Sequence, residues 1–323
     1  MTHARRTAPE RVAPRPGRAA WNPRHPARAG VVAAALATAL AGALAGGCAH
    51  GPADARPAGG APVARRAPAT DSITTALWHL DETVGTRAAD SGPFALDGIA
   101  GLDTHTDFGR VRGARVFEPS LDSFVYVPYN PVFAAGGGFS VEAWIQPTAY
   151  GDFEDTPIAA RWTPRANQQS WLFALVGRRL SPPAVSAASP GDHVALVQQG
   201  QVGALMFAYV PADAGAPKAF TSNHPVLLNR WTHVAATSDG SIVRLYVDGL
   251  LDGQFASPGA IRSSDAPLIL GNYLDPRLLS DFGGDLRVNG ALDPHAYYAF
   301  QGLIDEVRLS SAARLSFPEG AVR

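Results

Sequence analysis

The chain has a single cysteine, Cys48, in 323 residues. No intrachain disulfide and no cysteine-based zinc site can be built from it. From Ile73 onward there is also no helical periodicity longer than a turn or two and no internal repeat, which excludes a helical bundle or an alternating α/β architecture. No P-loop, G-x-S-x-G elbow or H-E-x-x-H is present, and the nine His residues lack ligand-like spacing. Basic clusters are missing from the same region. It holds 17 basic against 25 acidic residues, a balance of −8, whereas nucleic-acid binding needs Lys and Arg gathered against phosphates. Nucleic acid is therefore not an expected partner.

The residues before Ile73 have the opposite character. They carry 10 Arg, no Lys and 3 acidic residues, a balance of +7. An Arg-studded stretch leads into VVAAALATALAGALAGGC, which starts at Val31. A positive n-region, an apolar h-region over 31–44 and a small-residue junction describe an export signal over 1–47. LAGGC resembles a bacterial lipobox, with Cys48 as the lipidated residue, although the Leu sits one place early at Leu44. The alternative is an uncleaved anchor, since roughly 17 uncharged residues lie at the lower limit for spanning a bilayer. Ala49 follows the cysteine in place of an Asp that would favour inner-membrane retention, so the expected location is the outer membrane of a bacterial envelope. Membrane contact is expected through the N-terminal lipid only. Residues 48–72 are Ala, Pro, Gly and Arg with almost no large apolar side chain, a composition that cannot offset its ordering entropy and reads as a linker.

From residue 73 to 315 nearly every readable segment has period two, and 316–323 reads as a tail. FSVEAWIQP (Phe139 to Pro147) sets Phe139, Val141, Ala143 and Ile145 on one face and Ser140, Glu142, Trp144 and Gln146 on the other. Trp231 to Phe255 gives three strands broken at Asp239-Gly240 and Asp248-Gly249, pairs that signal hairpins because they tolerate positive φ. Many short strands joined by Gly and Asp turns predict an all-β, two-sheet antiparallel jelly-roll sandwich. SWLFALV (Ser170 to Val176) and ALMFAYV (Ala204 to Val210) are apolar at both parities, as strands covered on both faces are. In the closing stretch FQGLIDEVRL, alternation puts Asp305 on the apolar face with Leu303 and Val307, and sends Glu306 to the opposite face.

ALWHLDE, FSVEAWIQP, RWTHVAATSDGSIVRLYVDG and FQGLIDEVRLSSAARL, in that order, resemble the laminin-G-like jelly rolls of the concanavalin A-like lectin/glucanase superfamily. The resemblance implies two stacked antiparallel sheets. It leaves function open between binding sugars, binding proteins and spacing other domains. Two stretches, Arg178 to Gln201 and Asn272 to Ala299, exceed the shorter members and are expected to lie over the doubly apolar strands.

Site candidates follow from the two sources together. The glucanase branch uses carboxylates at alternate strand positions, E-x-D-x-x-E, for retaining chemistry. That pattern is absent, so no enzyme is expected. Trp144 either stacks a sugar ring, with Glu142 bonding its hydroxyls, or packs beneath a neighbouring loop. Tyr246 is a further candidate ligand contact. By the resemblance, His233 is structural and Trp231 belongs to the core. The resemblance also implies a structural Ca²⁺ held by Asp305, with Asp81 or carbonyls near Gly98 as partners. The alternative is that Asp305 accepts hydrogen bonds from the first strand's loop or pairs with an Arg. The expected function is a non-catalytic binding or adhesion module whose ligand is carbohydrate or an envelope protein. A carbohydrate-active enzyme rebuilt from the inserted loops and an architectural spacer are the alternatives.

Overall fold

A computed structural model describes residues 67–152, 155–163, 168–178, 200–213, 216–273, 279–282, 285–288 and 298–317. The signal segment, Cys48, most of the linker, 179–199 within the first insert and much of the second insert lie outside them. In chain order the strands are β1 (Thr74–Trp78), β2 (Arg87–Ala88), β3 (Gly98–Ala100), β4 (His105–Phe108), β5 (Gly113–Phe117), β6 (Val125–Val127), β7 (Phe139–Pro147), β8 (Asp155–Trp162) and β9 (Gln169–Val176). They continue as β10 (Ala204–Tyr209), β11 (Lys218–Pro225), β12 (Thr232–Ser238), β13 (Ile242–Val247), β14 (Leu250–Ala256), β15 (Leu268–Leu270), β16 (Leu279–Phe282), β17 (Asp285–Val288) and β18 (Gly302–Ser310). Among the described residues the only helical element is a 3-10 turn at Pro131–Phe133.

Two antiparallel sheets form the all-β sandwich. One runs β14-β13-β12-β7-β18-β5-β4, with β1 also on β18, and the other runs β11-β10-β9-β8-β15-β6-β3-β2. Between them lies one apolar core in which Phe139, Val141, Ala143 and Ile145 of β7 face Trp171, Phe173, Phe207 and Tyr209. The Phe139 and Trp171 rings are 5.0 Å apart. The alternation read for β7 is the one the structure adopts. Trp231 is different, being only half-buried and outside that core. Both hairpins form. Asp248 and Gly249 have φ of 52° and 77°, the double positive φ that a two-residue hairpin turn needs to match strand twist.

The closing strand departs from the predicted alternation. Along the β18–β7 ladder Ile304 faces Ile145, Asp305 faces Trp144, Arg308 faces Glu142 and Leu309 faces Val141. Two residues, Glu306 and Val307, therefore stand opposite the single residue Ala143. Glu306 carries the extra step, with φ of 54°, and such a bulge reverses the facing of everything after it. Ile304, Val307 and Leu309 consequently enter the core. Asp305 lies on the outer face with Trp144, not among the core apolar residues, and Glu306 is not sent to the face opposite it by simple alternation.

The other edge of β18 is shared. Gly302 to Ile304 pair with β5, and Val307 to Ser310 pair with β1, with Trp78 opposite Val307. First and last strands thus lie side by side, and Asp305-Glu306 occupies the junction where β5 gives way to β1.

Candidate functional site

The outer face of the β7 sheet was the expected ligand platform. Glu142, central on β7, is 1% exposed. Arg308 Nε donates to its Oε1 at 2.7 Å, and His233 Nε2 donates to Oε2 at 2.9 Å. Burial alone would push the Glu142 carboxyl up, but the hydrogen bond from His233 and the Arg308 guanidinium hold it below its ordinary value. His233 has the structural role expected of it.

A C-terminal strap closes this face. After β18 the chain turns back so that Ser140 Oγ donates to the Ala312 carbonyl at 2.6 Å and accepts from Arg314 N at 2.9 Å. The Arg314 guanidinium donates to both Asp71 oxygens at 2.8 and 2.7 Å, and its Nε is 3.7 Å from Glu142 Oε1. Arg308 Nη1 reaches the Ala69 carbonyl at 3.1 Å. Phe317, assigned to the tail from sequence, packs with ring centroids 4.8 Å from Tyr246 and 5.4 Å from His233. Arg110, from the β4–β5 loop, lies 4.4 Å over the Trp144 ring. Trp144 and Tyr246 are each 5% exposed. The assignment of Trp144, Glu142 and Tyr246 as ligand contacts is therefore corrected. The first packs beneath a loop arginine, the second is neutralised internally, and the third is covered by Phe317.

Asp305 is fully buried. Its Oδ2 accepts from Val111 N at 2.9 Å, while Asp81 Oδ1 accepts from Gly113 N at 2.9 Å. The two carboxylates thus hold the connection from β4 to β5 at positions two residues apart. Neighbouring Glu306 takes His79 Nδ1 at 2.7 Å. Burial, with the nearby Glu306 and Asp81 charges, pushes the Asp305 carboxyl up to about 8. Burial also raises Glu306, and the Glu306 hydrogen bond raises His79. Asp305 Oδ1 and Glu306 Oε1 have no hydrogen-bond partner among the described residues. Among those residues no three His, Cys, Asp or Glu side chains are grouped as a metal ion would require.

The outer face of the second sheet is also buried. Leu172, Ala174 and Val176 of β9 pack with Ala204, Met206 and Ala208 of β10. Tyr273 and Tyr298, at the two ends of the second insert, join this cluster, their rings 5.8 Å apart. For those ends the insert lies where it was expected.

One end of the sandwich remains open. A hollow of about 320 Å³ lies between the β11–β12 connection and the β13–β14 hairpin, walled by Val226, Leu227, Val247 and Leu250. Its rim holds a hydrogen bond between His224 Nδ1 and Asp252 at 2.6 Å and an ion pair of Arg230 with Asp248 at 2.7 Å. Leu227 and Leu250 are 53% and 56% exposed, and the adjacent Leu228 and Leu251 are exposed as well. Sequence reading missed this site. Its available signal was the pair of Leu-Leu steps next to turn residues, Leu227-Leu228 before Asn229 and Leu250-Leu251 after Asp248-Gly249.

A family model for the concanavalin A-like lectin/glucanases superfamily matches residues 120–316. The chain belongs to this superfamily. Solved structures that align with it do so at low identity. The binding domain of Paraclostridial Mosquitocidal Protein 1 is 12% identical with a TM-score of 0.48, the alignment covering 75% of this chain and 49% of that one. Domain 4 of AbnA, a GH43 extracellular arabinanase from Geobacillus stearothermophilus, solved in complex with arabinotriose, is 20% identical with a TM-score of 0.47, covering 75% and 93%. The Botulinum Neurotoxin Type G receptor binding domain is 14% identical with a TM-score of 0.47, covering 75% and 49%. This chain thus spans about half the length of the two toxin domains. No curated protein matches. Within the superfamily, this chain combines a closed outer face on its β7 sheet with an open, leucine-rimmed end.

Proposed function

We propose that the chain is a non-catalytic binding module, exported and held in a bacterial envelope by lipid at Cys48, that takes its ligand at the end of the sandwich and not on a sheet face. The observation that carries this reading is the closure of the outer face over Glu142 and Trp144. A sugar laid across β7 would have to displace Arg314, Phe317 and Arg110 together. The adjacent acids Asp305 and Glu306 are buried, out of reach of a substrate, which argues against a hydrolase of the two-carboxylate kind. The leucine-rimmed hollow supplies what the closed face lacks, an exposed apolar patch bordered by polar groups, the usual anatomy of an interaction site.

The intact chain, screened on glycan and peptide arrays, is expected to bind a probe whose signal survives Trp144→Phe and falls in Leu250→Arg. The reverse pattern would return the ligand to the sheet face. Incorporation of a labelled fatty acid is expected in the wild-type chain and not in Cys48→Ser. Equal labelling of both would remove the anchor.

A further inference from the structure

We propose that the hollow seats an extended basic polypeptide segment, with one apolar side chain entering between Leu227 and Leu250 and a flanking Lys or Arg meeting the Asp248 and Asp252 carboxylates. This rests on the reading that the ligand is taken at the end of the sandwich, and it adds the ligand's class.

Four observations converge on that class. The first is apolar exposure in excess of what a monomer needs. Leu227, which follows β11, and Leu250, which opens β14, both line the hollow and are both more than half exposed. Such a cluster is expected where a partner completes the burial. The second is size. A volume of about 320 Å³ sits at the small end of the range for ligand pockets, room for a side chain or two but not for a chain of sugar rings. The third is what the walls lack. Among the described residues the hollow is lined by no Trp, Tyr or Phe, so it lacks the large aromatic faces on which pyranose rings stack. The fourth is charge. Among the described residues lining the hollow, two are acidic, Asp248 and Asp252, and Arg230 is the one Lys or Arg, and the region from Ile73 onward carries −8, so both the rim and the domain behind it attract a cationic segment.

The backbone suits an extended polypeptide as well. β14, which begins at Leu250, is the terminal strand of its sheet and pairs within that sheet only with β13. Farther along, Asn223 of β11 donates to the Asp252 carbonyl, so an extended segment in the hollow meets the exposed opening of β14 at Leu250.

The test uses three fluorescent nonapeptides of Gly and Ser with Lys-Leu-Lys, Lys-Ala-Lys or Glu-Leu-Glu at their centre, titrated with the intact chain and followed by anisotropy. The Lys-Leu-Lys peptide is expected to bind. The alanine and acidic peptides are expected to bind roughly tenfold or more weakly, since one loses the buried side chain and the other the charge match. Added salt is expected to weaken the Lys-Leu-Lys peptide. Leu250→Arg is expected to lose binding by a similar factor with its melting temperature unchanged, because Leu250 is already exposed. Equal affinity for the leucine and alanine peptides, or no peptide binding at all, overturns the proposal. If an arrayed glycan binds instead and is lost in Leu250→Arg, the polypeptide class fails while the end-on reading stands. A ligand indifferent to Leu250→Arg removes both.

Discussion

Glu142→Gln is expected to destabilise the domain by about 3–5 kcal/mol, the usual cost of removing one member of a buried ion cluster. Among the described residues Glu142 is the only carboxylate within bonding distance of both His233 and Arg308, at 2.9 and 2.7 Å, and Arg314 stands 3.7 Å away. The amide can keep some hydrogen bonds but cannot balance buried cationic charge, so the desolvation cost of Arg308 is left uncompensated. The strap should loosen at the same time, because Arg314 loses its attraction to the sheet. Chemical denaturation reads the first effect, and faster amide exchange at Arg314 and Phe317 reads the second. Replacing the pair together, as Glu142→Leu with Arg308→Met, is expected to recover much of the loss, since a well-packed apolar substitute for a buried ion pair is often neutral. If the double variant is as unstable as the sum of its singles, the two side chains are not coupled.

The pH dependence has a definite sign. The Glu142 carboxyl is held below its ordinary value of 4.5 in the fold. Its contribution is therefore complete above about pH 4.5 and is lost as the pH falls through the lower folded value. Glu142→Gln should show a flatter stability profile on the acid side than the wild type.

Asp305→Asn is expected to act in the opposite direction and raise the melting temperature by several degrees at pH 8. With its carboxyl pushed from 3.8 to about 8, Asp305 binds its proton more tightly folded than unfolded. The stability it contributes is full below about pH 3.8 and is lost as the pH rises toward 8. The asparagine keeps an oxygen for the Val111 N–H and places an amide donor where Asp305 Oδ1 has no partner, without a titrating charge. At 1.36 kcal/mol per pH unit the full shift would amount to roughly 6 kcal/mol; about 2–3 kcal/mol is a realistic gain once water penetration and relaxation are allowed for. The difference between the two proteins should vanish near pH 4 and grow on the way to pH 8. A Ca²⁺ ion held on Asp305 would reverse the sign. Asp305→Asn would then melt lower than wild type, and a chelator would lower the wild type alone.

Much of the architecture was readable from residues. β7 alternates without interruption, and Asp248-Gly249 marks its hairpin, because those features depend on neighbours in sequence. The bulge at Glu306 was not readable. No Gly or Pro announces it, and one inserted residue moves Val307 into the core and Asp305 out of it. The fate of Glu142 was hidden for another reason. Its acidity and its place beside Trp144 suit a ligand site, and its neutralisation depends on Arg308 and His233, which are distant in sequence. Phe317 lies past the last recognisable motif, so only the fold shows what it covers. The hollow was missed because Leu227, after β11, and Leu250, at the start of β14, come to line one space only when the chain brings them together.

The shared edge of β18 has a mechanical consequence. The chain enters the domain at Asp71, beside Ser310, whereas the hollow lies past Thr232, which pairs with Ile145 at the other end of β7. A load drawn between the linker and a partner in the hollow is directed along the strands. The β1–β18 and β18–β7 hydrogen bonds run across that direction, so they share the load in shear and do not open one at a time like a zip. Arg314, bridging Asp71 to the strap, adds a clamp at the point where the pull enters.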